Sequence, residues 1–374
     1  MREILVDVVR IPTKGPGDVS GLERLIDEGR IAPQSILAVL GKTEGNGGVN
    51  DFTREYAMAA LCEALSPRLN LTPRAVEDRI AFVMSGGTEG VLSPHLTVFT
   101  RGLADVSADG AGDAAGGVGE KRLSIGIAHT RDFLPEEIGR RVQIEDTVKA
   151  VHVAMADAGI EDVADVHFVQ VKCPLLTSER IEAAHGRGHK TVTTSAYSSM
   201  GYSRGASALG VAAALGEIDS GIGEDQVLKN WELYSSVASA SAGIELMHNV
   251  VIVMGNSPRA VSPFVIGHAV MRDAIDLAAV LEALKSVRLG LADPRVKDRL
   301  VNIFAKAEAS PDGLVRAFRH TMLDDSDVGS TRHARAAVGG LIGGLSGTGA
   351  VYVSGGAEHQ GPPGGGPVAV IARV

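Results

Sequence analysis

Cysteine is nearly missing from this chain: Cys62 and Cys173 are the only two in 374 residues. Two isolated thiols build neither a disulfide framework nor a metal-ligand cluster, and they fit a reducing compartment. Aromatic residues are also few, at 4%. Basic residues are not in excess either. Lys and Arg number 36 against 45 Asp and Glu, a formal net charge of −9, which argues against a nucleic-acid partner because phosphate binding needs a basic face. No apolar run approaches the roughly 20 residues of a membrane span. The opening MREILVDVVRIPTKG interrupts a short apolar stretch with charge, unlike a signal peptide. The expectation is a cytoplasmic protein with neither a nucleic-acid nor a membrane partner. His129 and His359 lack the spacing of a zinc site. The segment GAGDAAGGVGEK (110–121) lacks phosphate-loop spacing and follows no strand, so it reads as a connector.

What the chain does have is glycine, 46 residues of it, and a threefold internal repeat. The stretches SGGTE from Ser85, SAGIE from Ser241 and SGGAE from Ser354 share serine, a small residue, glycine and a glutamate at the fifth place. Each is followed by an apolar run: LTVF, VVIVM and VAVI. A second element recurs in FTREYAMAALCEAL, YSRGASALGVAAAL and STRHARAAVGGLIG, where a hydroxyl residue precedes Arg54, Arg204 and Arg332. Thr53, Ser203 and Thr331 read as N-caps of helices, and the Ala- and Gly-rich second and third helices should pack closely. A third element, LAVLGKTEG, HFVQVKCP and NIFAKAEA, runs an apolar strand into Lys42, Lys172 and Lys306. Each is preceded by a helical stretch and a strand-like opening. The order is the same three times: strand, helix, strand ending in lysine, arginine-bearing helix, Ser-Gly strand. The fold class is therefore α/β, with three repeats around a pseudo-threefold axis. Repeat A covers 1–104, a connector 105–122, repeat B 123–254 and repeat C 255–374.

Strand ends meeting around an axis would bring three serines, three lysines and three arginines into one pocket. Arginine offers a permanent charge and a fork of donors suited to carbonyl oxygens. Lysines crowded beside arginines and buried have their pKa lowered, so that a neutral amine can take the proton of a neighbouring serine as it attacks a carbonyl. The glycine or alanine after each serine would let backbone N–H groups approach an oxyanion. Glu89, Glu245 and Glu358 would orient lysines, neutralise charge or make structural pairs. The matching ligand is small, planar, rich in carbonyls and close to threefold symmetric.

GKTEGNGGVNDFTR, VMSGGTEGVLSPH, SASAGIELMHN, HTMLDDSDVGSTRHARAAVGG and SGGAEHQGPPGGGPVAVI resemble the cyanuric acid hydrolase and barbiturase family over essentially the whole chain. The resemblance implies hydrolytic ring opening of a cyclic imide, in a prism-like, Toblerone-type barrel of three similar domains that usually forms homotetramers. It implies substrate contacts from Arg54, Arg204 and Arg332 and from the pairs Ser85–Gly86, Ser241–Ala242 and Ser354–Gly355. It makes Ser241 the nucleophile and Lys172 its base, with Lys42 and Lys306 in support; the repeats alone do not single out that pair. Cyanuric acid would open to carboxybiuret, which loses carbon dioxide to give biuret; a barbiturase would open barbituric acid to ureidomalonate. A protein that binds such a ring without catalysis is a third reading, disfavoured by the lysine beside every serine. No organic cofactor is implied. A structural Mg2+ or Ca2+ is, held by Glu308 and by oxygens of Ala357, Gln360, Gly361, Pro362 and Gly365, a set suited to a hard cation.

Overall fold

The computed structural model describes residues 2–105, 120–290 and 296–374; most of the expected connector 105–122 lies outside them. Three four-stranded sheets follow one another along the chain. The first holds β1 (Arg2–Pro12), β2 (Ile36–Thr43), β3 (Ala81–Gly86) and β4 (His95–Asp105). The second holds β5 (Arg122–His129), β6 (Val166–Pro174), β7 (Ala238–Gly243) and β8 (Val250–Ser257). In the third, β9 (Phe264–Met271) and β10 (Leu300–Ala307) are followed by a small hairpin of β11 (Leu314–Val315) and β12 (Phe318–Arg319), then β13 (Tyr352–Gly355) and β14 (Gly366–Arg373). Within each sheet the order is first, fourth, second, third. The last strand pairs antiparallel with the first two, and the second pairs parallel with the third. A parallel pair requires a crossover, and each crossover carries a helix. The expected junction at 254/255 falls inside β8, which continues to Ser257.

The helices of repeat A are α1 (Ser20–Asp27), α2 (Phe52–Leu69) and α3 (Pro73–Arg79). Repeat B carries α4 (Arg141–Asp157), α5 (Ser178–Gly186) and α6 (Ala196–Ala214), and repeat C α7 (Leu277–Ser286), α8 (Val296–Arg299) and α9 (Ser330–Ser346). The expected N-caps are not the caps. Asp51 caps α2 by accepting from the Thr53 N–H, and Ser195 caps α6 by accepting from the Ser198 N–H. Gly329 precedes α9 without a side-chain cap. Thr53 and Thr331 therefore lie in first turns, and Ser203 lies in the middle of a longer helix.

Strand period two divides the burial. One face of each sheet packs on its own helices, in three separate clusters. The other faces meet in a shared core that includes Val8, Leu40 and Val83 from the first sheet, Phe168 and Ile252 from the second, and Phe304 and Ile371 from the third. The scarce aromatics gather there: Phe304 lies 6.3 Å from Phe99, 5.4 Å from Phe168 and 5.6 Å from Tyr352, between ring centroids.

Candidate active site

The same period of two carries the shared core into the site. Two residues beyond Leu40, Gln170 and Phe304 come Lys42, Lys172 and Lys306; two beyond Val83, Ser239 and Tyr352 come Ser85, Ser241 and Ser354. The parallel pairs then place each lysine opposite its serine: Lys42 with Ser85, Lys172 with Ser241 and Lys306 with Ser354. This register is identical in all three sheets. The lysines are essentially inaccessible, and the serines are buried.

Above them opens a small cavity. Its walls include the three serines, the small residue after each (Gly86, Ala242 and Gly355), and three arginines. Two arginines are those expected, Arg54 and Arg204. The third is Arg335, not Arg332. Arg332 sits one helical turn earlier on α9 with its side chain 44% exposed, while that of Arg335 is 4% exposed. Sequence reading missed Arg335 because STRHAR offers two arginines and Arg332 is the one behind a hydroxyl residue. A better signal was the small residues directly after Arg204 and Arg335, which let the helix pack tightly. Gly47 and Met200 also line the cavity, and no repeated motif flagged either.

The threefold pattern is broken at one place. Glu89 accepts from the Arg335 Nε at 2.8 Å and Nη2 at 2.6 Å, and Glu358 accepts from the Arg204 Nε at 2.7 Å and Nη2 at 2.5 Å. Glu245, the third of the set, instead pairs with the Lys172 Nζ at 2.7 Å. Arg54 donates to the backbone carbonyls of Ala242 and Gly48, and its buried Nε has no partner among the described residues. The lysines differ accordingly. Lys42 and Lys306 each donate to their own serine at 3.2 Å. Lys172 donates to the Met84 carbonyl at 3.2 Å, no hydrogen bond joins it to Ser241, and Ser241 lies 3.2 Å from the Ser354 hydroxyl.

Burial depresses all three amines. It takes Lys42 well below the lysine range, aided by Arg335, and Lys306 down to about 7, aided by Arg204. Lys172 is also lowered by burial, but Glu245 opposes the shift. Beneath the serines the Tyr352 hydroxyl is fully buried, beside Ser85 and Ser241.

A family model for amidohydrolase ring-opening proteins matches residues 7–373. The chain belongs to the ring-opening amidohydrolases. It is 71% identical to a cyanuric acid amidohydrolase of Bradyrhizobium diazoefficiens, with all of both chains covered. It is 61% identical to one from Pseudomonas sp. strain ADP, covering 98% of this chain and 99% of that one. A solved cyanuric acid hydrolase structure superposes with a TM-score of 0.93 at 60% identity, with both chains fully covered.

In this ring-opening amidohydrolase the residues expected around a cation also come together. Glu308 is half-buried just past the end of β10 and makes no ion pair among the described residues. Its oxygens accept only the backbone N–H groups of Ala309 and Ala357. Burial and the nearby Glu358 hold its carboxyl above the usual range against the pull of Arg204, whose guanidinium is already paired with Glu358. The Gln360 side chain is occupied, accepting from the Ala240 N–H and donating to the Gly356 and Glu358 carbonyls, which leaves only its backbone as a donor. The closing loop turns through positive φ at Gly361 and Gly364, and a Cβ at Gly365 would collide with the Met271 carbonyl. One uncompensated carboxylate beside a tight loop of carbonyls fits a hard cation. His359 is committed elsewhere: its Nε2 accepts from the Leu228 N–H, and its Nδ1 bonds to the Leu233 carbonyl.

Proposed function

We propose that this chain hydrolyses cyanuric acid, opening its ring to carboxybiuret, which then releases carbon dioxide to leave biuret. The observation that carries this reading is the convergence of three serine–arginine sets on one small cavity. A planar ring with three carbonyls offers one acceptor to each set. The names of the 71% and 61% identical relatives point the same way.

Ring carbonyls accept from the guanidinium groups and serine hydroxyls, and the unpaired Arg54 Nε gains the partner it lacks. Ser241 attacks one ring carbonyl while Lys172 takes its proton. The arginines stabilise the oxygen that becomes negative. The ring C–N bond then breaks, with the proton passing to the departing nitrogen, and water hydrolyses the acyl-enzyme. Lys42 and Lys306, each bonded to its own serine, hold Ser85 and Ser354 as donors to the other carbonyls. Glu308, with backbone oxygens of Ala357, Gln360, Gly361, Pro362 and Gly365, would hold Mg2+ or Ca2+. The ion would balance the charge of the half-buried Glu308 carboxylate. The three sheets form the faces of a prism-like barrel around this site, and the same reading carries a homotetrameric assembly. Two buried free thiols suit the cytoplasm.

Purified protein is incubated with cyanuric acid and with barbituric acid while ring absorbance and products are followed. Turnover of cyanuric acid is expected, and no turnover of either ring would sink the hydrolase reading. Ser241→Ala and Lys172→Ala should each lower kcat by at least about a thousandfold. Normal rates in Ser241→Ala alongside loss in Ser85→Ala would move the nucleophile to the first repeat.

A further inference from the structure

Three glutamates occupy one position of the repeat, four residues after each serine, yet they do two different things. Glu89 grips the arginine of repeat C and Glu358 that of repeat B, each through two hydrogen bonds. By rotation, Glu245 should grip Arg54 of repeat A. It turns instead onto Lys172, 2.7 Å away, with its side chain 14% exposed.

The glycine two residues after each serine records the same break independently. A Cβ on Gly87 would strike the Arg335 guanidinium, and one on Gly356 would strike that of Arg204. At Gly243, whose backbone does not share the positive φ of the other two, a Cβ would meet the Glu245 carboxylate instead. The loop of repeat B is therefore built to receive a carboxylate where the others receive an arginine. Lys172 is the one lysine of the three with a carboxylate at ion-pair distance.

We propose that Glu245 is a positioning residue that sets the second repeat's lysine apart from the other two. Its carboxylate holds Lys172 opposite Ser241 and balances the charge the amine acquires when it accepts the serine proton. This rests on the Ser241–Lys172 reading above. As the Ser241 O–H bond breaks and its oxygen bonds to the ring carbonyl carbon, the proton goes to the Lys172 Nζ. Glu245 remains ionised beside the new ammonium, as the carboxylate of a catalytic triad does beside its imidazolium. When the ring C–N bond breaks, Lys172 returns that proton to the leaving nitrogen. Lys42 and Lys306 have no carboxylate at ion-pair distance among the described residues; Glu89 and Asp51 act on Lys42, and Glu358 and Glu308 on Lys306, only from further away.

The sign of the effect on titration follows. Removing the Glu245 charge destabilises protonated Lys172, so the pKa of its amine falls. Glu245→Gln should move the acid limb of the kcat/KM profile for cyanuric acid down by about one pH unit. It should also lower plateau kcat by about tenfold to a hundredfold, with KM within about threefold. Glu89→Gln and Glu358→Gln, which release arginines, should raise KM and leave the acid limb in place. Glu245→Asp keeps the charge, so its limb should stay near the wild-type position even with a reduced kcat. That variant also supplies the comparison if Glu245→Gln is too slow to profile or fails to fold. A wild-type limb in Glu245→Gln, an equal displacement of the limb in Glu89→Gln, or a lowered limb in Glu245→Asp would overturn the proposal. An inactive wild type would instead overturn the hydrolase reading itself, so the two failures are distinct.

Discussion

Arg332 and Arg335 show how far apart two arginines in one helical turn can stand in consequence. Both touch Glu89, at 3.0 Å from the Arg332 Nε and 2.6 Å from the Arg335 Nη2, but only Arg335 is buried and lines the cavity. A charge-assisted hydrogen bond in a buried site contributes about 1.5–3 kcal/mol, whereas a half-exposed ion pair contributes about 0–1 kcal/mol. Arg335→Ala should therefore lower kcat/KM for cyanuric acid by roughly tenfold to a hundredfold, and Arg332→Ala by less than about fivefold. Steady-state kinetics on the two variants checks the assignment, and the opposite ranking would restore Arg332. The lysines and serines were readable because strand alternation leaves a residue only two directions. Helical arginines have many, and their facing depends on where the helix begins. Glu245 could not be told from Glu89 and Glu358 by spacing, since the difference lies in which neighbour each carboxylate reaches across the repeats.

Between helices and sheets, composition was the better guide. The Ala- and Gly-rich run after Arg204 was expected to pack closely, and α6 does so against α4: a Cβ on Gly210 would lie 2.6 Å from the Thr147 Cβ and 2.7 Å from the Ile144 carbonyl. Two effects compete at this position. Helix propensity favours Gly→Ala by about 1 kcal/mol, while overpacking a close contact costs about 1–3 kcal/mol. The backbone carbonyl cannot swing away as a side chain would, so overpacking wins. Gly210→Ala should lower the urea midpoint, and a raised midpoint would show that the two helices can part. Helix starts were less legible. TTSAYSSMGYSR presents hydroxyls at many places, and the one that caps α6 is Ser195, more than two turns before Ser203. Any of them can serve locally, and packing on the sheet selects the register.

For the molecule as a whole, the repeated order of elements fixed the α/β class and its three units, because each repeat leaves an apolar sheet face that only the others can cover. How the three faces share aromatics was not legible, since Phe99, Phe168 and Phe304 occupy no common motif. Phe304 touches aromatic partners from the first, second and third sheets. Phe304→Ala should cost about 3–5 kcal/mol and lower the melting temperature in a single transition. Separate melting of one repeat would contradict a common core.

The near-threefold cavity also has a statistical consequence. A ring that looks the same after each third of a turn cannot be bound in a wrong orientation. Whichever way it settles, an equivalent bond faces the serine proposed to attack. Three indistinguishable poses are worth RT ln 3, about 0.6 kcal/mol, relative to a ligand with one productive pose. A ring altered at one position loses that degeneracy, because some of its poses then present a different atom to the nucleophile. Such a pocket discriminates partly by counting, and a competitor can fill it well yet react only on a fraction of its arrivals.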